Sequence, residues 1–257
     1  MKKTLITLAA LVAGSASALA DGTLVWDLTV TNDGFKVTNA AGGDYTSLEV
    51  TQNTATISDG VCTTNGTNNR VYITDSASSI TMGTSFSFVV QGGLAATPGQ
   101  WGVLFGFGEL NNWNIKVNYD SSNGGSLGFA PEGYQLVSNS RGGEITTDDG
   151  TYIVTYAMQE DNSAKVSLYQ GGTLIATATQ PSTHTQTGEV LDIFSLGGRP
   201  LSTNNNLTSF SFDNVQLYEG VLSAGQIASL SGVTPEPTTA TLSLLALAGL
   251  CARRRRK

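Results

Sequence analysis

The sequence predicts an all-β protein whose body is a sandwich of two antiparallel sheets. Short runs of β-branched and aromatic residues recur along the chain, and clusters of Gly, Asn, Asp and Ser separate them. Glycine is abundant, at 30 of 257 residues, as a protein with many turns requires. No helical pattern lies between these runs. Regularly spaced strands without intervening helices indicate a sandwich or a jelly roll.

The predicted strands, in chain order, are 24–31, 71–74, 84–91, 101–107, 113–119, 151–158, 165–169, 173–177, 190–196 and 209–218. Alternation along these strands assigns Trp26 and several phenylalanines to the core: Phe86, Phe88, Phe105, Phe107, Phe210 and Phe212. The paired glycines of 170–172 predict a tight hairpin turn, and 161–163 predict a second turn.

One short helix is predicted after the last strand. Ser223 and Gln226 have the spacing of a capping box, in which each side chain bonds the backbone N–H of the other residue. Ile227 and Leu230 give this helix a narrow apolar face. Gly232 is placed to end it after about two turns.

Charge is distributed unevenly along the chain. Basic residues are concentrated at the two ends, and all 20 acidic residues lie between Asp21 and Glu236 with only six basic ones. This body therefore has a net charge of −14, which argues against a nucleic-acid partner because such binders need a basic face. One histidine and two cysteines argue against a His-based metal centre and a disulfide scaffold.

The first 20 residues have the three parts of a secretory signal peptide. Lys2 and Lys3 precede an apolar stretch, and Ala18-Leu19-Ala20 supplies the small residues of a cleavage site before Asp21. We expect export by the Sec machinery and removal of 1–20, with cleavage involving Ala18, Ala20 and Asp21.

The C-terminal segment, 233–257, predicts a membrane-associated tail. Its apolar stretch, 240–252, is followed directly by Arg253, Arg254, Arg255, Arg256 and Lys257. Even 238–252 reaches only about 22 Å as a helix, against a hydrocarbon core of about 30 Å, so the terminal cations must snorkel if the segment spans. The positive-inside rule places these cations in the cytoplasm.

This tail resembles the PEP-CTERM sorting signal of Gram-negative bacteria. Pro235, Glu236 and Pro237, the apolar stretch and the basic run match its parts in order. The resemblance implies an exosortase partner, transient anchoring in the inner membrane, and release to the cell envelope, the cell surface or an extracellular matrix. A plain membrane anchor without processing is the alternative.

Residues 209–230 resemble the closing segment of LamG-like, concanavalin A-like domains. The matching positions are Asp213, Val215, Leu217, Tyr218, Leu222, Ser223, Ile227 and Leu230. The resemblance implies a jelly roll over 21–232. One departure is that Asp149 and Gly150 stand where the family often has a Trp before the strand of 151–158. Asp213 itself is interpreted as a structural residue that caps backbone amides.

Two kinds of binding site are predicted, a glycan site and a calcium site in loops. Aromatic side chains that stack on sugar rings, with amides for the hydroxyls, predict glycan binding by Trp101, Trp113, Tyr134, Asn111 and Asn112, although a core position for Trp101 and Trp113 remains open. Relatives of the family often hold Ca²⁺ in such loops, which implies Asp120, Asn123 and Asp192 as calcium ligands.

Catalytic patterns are sparse. The paired carboxylates of glucanases with this fold are missing from the strands, and His184 stands in a polar loop without a nucleophile elbow. The sequence therefore predicts a protein without catalytic activity that binds an extracellular polysaccharide or an environmental or host glycan. The alternatives are a purely structural envelope or matrix protein without a ligand, and a divergent glycan-active enzyme.

Cys62 is predicted to be a buried, unreactive thiol.

Overall fold

The computed structural model describes residues 21–46, 48–52, 55–65, 71–75, 80–81, 85–95, 102–108, 113–119, 126–131, 150–180, 190–191, 193–198 and 208–233. Within these ranges the elements are, in chain order, β1 (Thr23–Thr31), β2 (Gly34–Asn39), β3 (Leu48–Gln52), β4 (Thr56–Ser58), β5 (Val61–Thr63), β6 (Val71–Asp75), β7 (Ile80–Thr81), β8 (Phe86–Leu94), β9 (Gly102–Gly108), β10 (Trp113–Tyr119), β11 (Ser126–Pro131), β12 (Gly150–Met158), β13 (Ala164–Gln170), β14 (Thr173–Gln180), β15 (Val190–Leu191), β16 (Ile193–Leu196), β17 (Phe210–Glu219) and α1 (Ala224–Leu230).

The strands of the described residues form two large antiparallel sheets. The larger sheet runs in the order β14-β13-β12-β8-β17-β1-β2, with the β4–β5 hairpin attached to β17. The smaller sheet runs in the order β11-β10-β9-β16-β6-β3, and β7 and β15 form a separate pair. The predicted all-β class and the antiparallel sandwich are confirmed.

The core lies between the two large sheets and is built around aromatic rings. Phe88 of the larger sheet packs edge-on against Phe105 and Phe194 of the smaller one, with ring centroids 5.7 and 5.2 Å apart. Phe105 also contacts Tyr152 and Phe210 of the larger sheet. Edge-to-face pairs of this kind are worth about 0.5–1.5 kcal/mol each beyond the area they bury, so they hold the sheets together.

The predicted core residues are confirmed where their side chains are described. Trp26 is 2% exposed, and Phe86, Phe88, Phe105, Phe210 and Phe212 are fully buried. The side chain of Phe107 lies outside the described residues. Cys62 is buried and not in a disulfide, as predicted, and burial raises the pKa of its thiol to about 12. A thiol with this pKa is unreactive at neutral pH.

Both predicted turns are confirmed. Gly171 and Gly172 have φ values of 55° and 79°, the positive φ that a tight hairpin turn requires, and Asn162 has a φ of 60° in the other turn. Asp161 accepts a hydrogen bond from Ser163 N at 2.9 Å, and the bonds from Ser163 lower the pKa of this exposed carboxyl group.

The predicted strands are present, with two kinds of difference. The segment 190–196 is not one strand: β15 pairs with β7, while β16 pairs with β6 and β9 of the smaller sheet. The strands β2, β3, β4, β5, β7 and β11 were not predicted. These strands are short or, where the burial of their side chains is described, half-buried, such as β2 at the edge of the larger sheet. Half-buried strands lack the clean alternation on which sequence prediction depends.

Helix α1 begins with the predicted capping box and covers the outer face of the larger sheet. Ile227 and Leu222 pack on Val89 and Ile153, and Tyr218 joins this second cluster. Gln226 also binds the residue just before β1, because its Oε1 accepts from Gly22 N at 3.0 Å and its Nε2 donates to Gly22 O at 2.9 Å. The first and last described segments therefore meet at α1.

Candidate functional site

The outer face of the larger sheet is interrupted by a β-bulge at Asp213. Along the β17–β8 ladder, Phe212 pairs with Gly92 and Asn214 pairs with Gln91, so Asp213 has no residue opposite it. A bulge of this kind bends the strand and redirects a side chain. Here it leaves Asp213 exposed between the buried Phe212 and the half-buried Asn214.

Gly92 makes the bulge possible. A Cβ atom at this position would lie 2.2 Å from the carbonyl oxygen of Ser211 and 3.0 Å from Cα of Phe212. Because both atoms belong to the backbone, no side-chain rotation can relieve such a contact. Only glycine allows the two strands to approach this closely.

The other edge of β17 changes partner at the same residue. Ser211 and Phe212 pair with β5, whereas the pairing with β1 begins at Asn214. Asp213 therefore occupies a junction between two neighbouring strands on one side and a bulge on the other. The strands cannot cover the surface evenly at such a junction.

Two depressions result, and both are lined by Gln91 and Asp213. The first, of about 450 Å³, reaches toward the end of α1 and is lined also by Thr151, Ser211 and Ser231 among others. The second, of about 370 Å³, lies toward β1 and is lined also by Thr29, Asn214 and Gln216. We call the two depressions together the amide groove, after Gln91, Asn214 and Gln216.

Two of the three amides of the groove, those of Asn214 and Gln216, are fixed by the carboxylate of Asp27 on the neighbouring strand β1. Nδ2 of Asn214 donates to Oδ1 of Asp27 and to the carbonyl of Leu28, and Nε2 of Gln216 donates to Oδ2 of Asp27 at 3.1 Å. Tyr218 donates its hydroxyl to Oε1 of Gln216 at 2.9 Å. Each of these side chains is held by at least two hydrogen bonds, or by one bond and packing, so the groove is preorganised.

Burial and charge both act on Tyr218. Burial raises the pKa of its hydroxyl, and the nearby Asp27 carboxylate raises it further. The hydroxyl therefore stays protonated at neutral pH and remains a donor to Gln216.

Two polar atoms of the lining residues have no hydrogen-bond partner within the described part of the chain. These are Oδ1 of Asn214 and the hydroxyl oxygen of Ser231, both of them buried atoms. Unsatisfied buried polar atoms are uncommon in native proteins and each costs free energy.

A second groove, of about 520 Å³, lies between α1 and the outer face of β12 and β13. Its lining is mostly apolar and includes Leu222, Ile227 and Val233. Two charged residues also line it, the basic Lys165 and the acidic Asp21. Both ends of the described chain contribute to it, because Asp21 and Val233 lie among its walls.

The residues predicted from the sequence as binding sites fall outside this description. Trp101, Asn111, Asn112 and Tyr134 lie outside the described residues, and so do Asp120, Asn123 and Asp192. Trp113 begins β10, where it pairs with Pro131, but its side chain is not described. The glycan platform and the calcium ligands therefore stay predictions. In the described ranges, no three His, Cys, Asp or Glu side chains are grouped to hold a metal ion.

The predicted signal peptide and sorting tail also stay predictions. Ala18 and Ala20, Pro235, Glu236 and Pro237, and the basic run 253–257 lie outside the described residues, whereas Asp21 is described and exposed. Across the described part of the chain, no helix is long and apolar enough to cross a membrane.

The amide groove was not predicted as a site, although the sequence carried a weak signal for it. Asn214 and Gln216 alternate with the core residues Val215 and Leu217, which indicates an outward polar row. The bulge at Asp213, by contrast, depends on pairing with Gly92, and a single strand does not reveal it.

Solved structures share this fold at low sequence identity. A Trypanosoma rangeli sialidase in complex with sialic acid aligns with a TM-score of 0.58 and 16% identity, over 81% of this chain and 32% of that chain. A structure on botulinum neurotoxin type C, whose cell entry depends on two ganglioside molecules, aligns with a TM-score of 0.56 and 13% identity, over 82% of this chain and 51% of that one. The serotype D ligand binding domain in complex with N-acetylneuraminic acid gives a TM-score of 0.50, 13% identity and coverage of 82% and 50%.

These likenesses show the fold alone. The chain spans about a third of the sialidases and half of the neurotoxin chains that it matches. No family model and no curated protein matches the sequence.

One expectation is corrected by the comparison. The prediction that the protein is not an enzyme is wrong as an inference from this architecture, because several of the similar structures are sialidases. The sequence patterns speak only against the carboxylate pair of glucanases and a His-dependent triad, and other catalytic chemistries leave different patterns.

Proposed function

We propose that this protein binds glycans at the amide groove. The observation that carries the proposal is the bulge at Asp213, which opens a polar depression in the larger sheet beside the fixed amides of Asn214 and Gln216. Side-chain amides and carboxylates are the groups that bind sugar hydroxyls most often, since they offer donors and acceptors at fixed angles.

The fold likeness supports this proposal at a coarse level. The sialidase is in complex with sialic acid and the serotype D domain with N-acetylneuraminic acid, so proteins that contain this sandwich include sugar-binding ones. Trp101, Trp113 and Tyr134 are proposed as a separate glycan contact, and Asp120, Asn123 and Asp192 are proposed to hold calcium where the ligand requires it.

We further propose that this binding takes place outside the cytoplasm. The signal peptide of 1–20 would direct export through Sec, and the tail of 233–257 would be handled by an exosortase after transient anchoring. The acidic body, with its net charge of −14, is compatible with a soluble domain released to the cell surface or to an extracellular polysaccharide.

A glycan array tests the proposal. The full chain, purified in mild detergent, is applied with 2 mM Ca²⁺ or with a chelator, and the array is then examined for release of sugar. Saturable binding supports the proposal, and loss of binding on chelation adds the calcium ligands to it. Absence of binding in both conditions would leave a structural envelope or matrix protein as the better account.

A further inference from the structure

We infer that the outer face of the larger sheet beside α1 is a docking surface for the apolar segment of the chain's own tail, 240–252. The surface consists of the groove between α1 and the strands β12 and β13, together with Leu174 of β14, and we call it the tail surface. Docking there is independent of glycan binding at the amide groove.

An apolar row crosses the outer face of the larger sheet, and α1 packs at one end of it. The strand ladders pair Val89 with Ile153, Ile153 with Tyr169, and Tyr169 with Leu174, from β8 to β14. Paired residues on neighbouring strands share a face. Val89 and Ile153 are fully buried in the cluster with α1, Tyr169 is half-buried, and Leu174 is 43% exposed. Exposure therefore rises along the row, and its far end has room for a further apolar element.

The chain leaves α1 toward this exposed end. Gly232 has a φ of 67°, which turns the backbone after the helix, and Val233 N donates to Ala228 O at 2.9 Å. Val233 then lies beside the turn between β13 and β14, since a Cβ atom on Gly172 would be 3.2 Å from its Cγ2 atom. Val233 is 46% exposed, and with Leu174 it makes up the exposed large apolar side chains of the described residues. Both lie where the tail begins.

The apolar segment matches the tail surface in reach, length and width. Residues 234–239 separate it from Val233, and six extended residues reach about 20 Å. As a helix, the segment would be about 20 Å long and about 10 Å wide. The seven residues of β13 extend over about 23 Å, and two strands at about 4.8 Å spacing present about 10 Å of width.

The composition of the segment suits such a surface. It contains five leucines and no charged residue, so burial against the sheet removes apolar area from water. Leu244, Leu247 and Cys251 have the i, i+3 and i+7 spacing that places side chains on one face of a helix. The basic run 253–257 follows directly, and the net charge of −14 on the body attracts it. Docking would shield the leucines of the tail when no membrane is present to receive them.

Cys251 provides the test, because it belongs to the segment itself and the other cysteine, Cys62, is fully buried. Leu174→Cys adds a thiol to the tail surface of the full chain. Disulfide formation with Cys251 is followed in dilute, detergent-free buffer with oxidised glutathione as the oxidant. We expect the intramolecular disulfide to form at least tenfold faster than in a matched control, because docking raises the effective concentration of the two thiols.

The matched control is Thr51→Cys, an exposed position on β3 of the smaller sheet. The tail remains free to meet this thiol by chance, so the control measures collision without docking. Adding Leu247→Asp to Leu174→Cys should slow the disulfide to the control rate, because burying a carboxylate opposes docking. Circular dichroism checks that each variant keeps the wild-type fold.

Three outcomes would overturn the inference. The first is an equal rate in Leu174→Cys and Thr51→Cys; if vesicles then protect the introduced thiol at Leu174→Cys from a maleimide, the surface belongs to a membrane instead. The second is a fast disulfide that joins two molecules, seen as a doubled mass on a non-reducing gel, which assigns the surface to the tail of a second copy. The third is a fast rate that Leu247→Asp leaves unchanged. Glycan binding at the amide groove is measured separately on the array, so its failure and the failure of docking are distinguishable.

Discussion

Asn214 and Asp27, which are 187 positions apart in the sequence, are joined by a hydrogen bond from the side-chain amide of Asn214 to Oδ1 of Asp27. They lie on adjacent strands, since Asn214 pairs with Thr29 and Gln216 with Asp27 in the β1–β17 ladder. The bond fixes the amide that lines the groove, so the pair connects the sheet to the proposed site.

Replacing Asn214 by Asp should destabilise the fold at neutral pH. The substitution places a second carboxylate against Asp27 and removes the donor to Leu28 O, at a cost of about 2 kcal/mol. Repulsion raises the pKa of the introduced carboxyl group in the folded state, so the loss is present above that pKa and disappears below its unfolded value of about 4. Urea unfolding at pH 7 and pH 4 measures the difference from wild type.

The exchange of the two residues provides the control. Asp27→Asn combined with Asn214→Asp restores one amide and one carboxylate, and it should recover more than half of the lost stability. If Asn214→Asp alone is as stable as wild type at pH 7, the bond between these side chains does not stabilise the fold.

Gly92→Ala should be strongly destabilising, because the new Cβ would overlap the carbonyl oxygen of Ser211. Overpacking against the backbone costs about 1–3 kcal/mol. The matched control is Gly150→Ala, since Gly150 pairs with Gly92 in the β8–β12 ladder but has nothing within 4 Å of its added Cβ. Thermal unfolding should separate the two variants by about 5 °C or more. Equal melting temperatures would contradict the close approach at the bulge.

Gln226→Ala should weaken the attachment of Gly22, which precedes β1, to α1. The substitution removes both bonds to Gly22 and the half of the capping box in which Oε1 accepts from Ser223 N. A loss of about 1–2 kcal/mol is expected. Gln226→Glu keeps the acceptor for both N–H groups and should lose less. Hydrogen exchange of the Gly22 amide is the direct readout. Unchanged protection of this amide in Gln226→Ala would show that the bonds between Gln226 and Gly22 do not hold this segment in place.

Stability should fall at alkaline pH through Cys62. Its folded pKa of about 12 exceeds the ordinary value of 9.0, so the stabilisation is complete below pH 9 and is lost as pH rises toward 12. The slope from this group is about 1.4 kcal/mol per pH unit. Unfolding of wild type and Cys62→Ala at pH 8 and pH 10 tests it. An equal loss of unfolding free energy between pH 8 and pH 10 in the two proteins would show that Cys62 does not contribute.

Much of the fold could be predicted because local sequence patterns determine many of its elements. Alternation places Phe86 and Phe88 on one face, paired glycines mark the turn at Gly171, and Ser223 with Gln226 marks the helix start. Each feature depends on residues within a few positions of one another, so a single sequence contains the whole signal.

The candidate site could not be predicted in the same way. The bulge at Asp213 depends on Gly92, which is 121 positions away in the sequence, and the network of Asn214 depends on Asp27 in the first strand. Asp213 was interpreted as a structural residue because its place in the strand alone suggests no more. Pairing between distant strands creates the depression beside it, and strand register is not visible in local sequence.

The most direct test of the central claim is the affinity of the tightest-binding array glycan for Gln91→Ala. Gln91 lines both depressions, whereas the control Gln159→Ala changes an exposed residue after the far end of β12, where the amide bonds only Ala157 O. Titration calorimetry should show binding at least tenfold weaker for Gln91→Ala and unchanged for Gln159→Ala. Wild-type affinity in Gln91→Ala, together with loss of binding in Trp101→Ala, would contradict the amide groove as the site and place the glycan on the predicted aromatic platform.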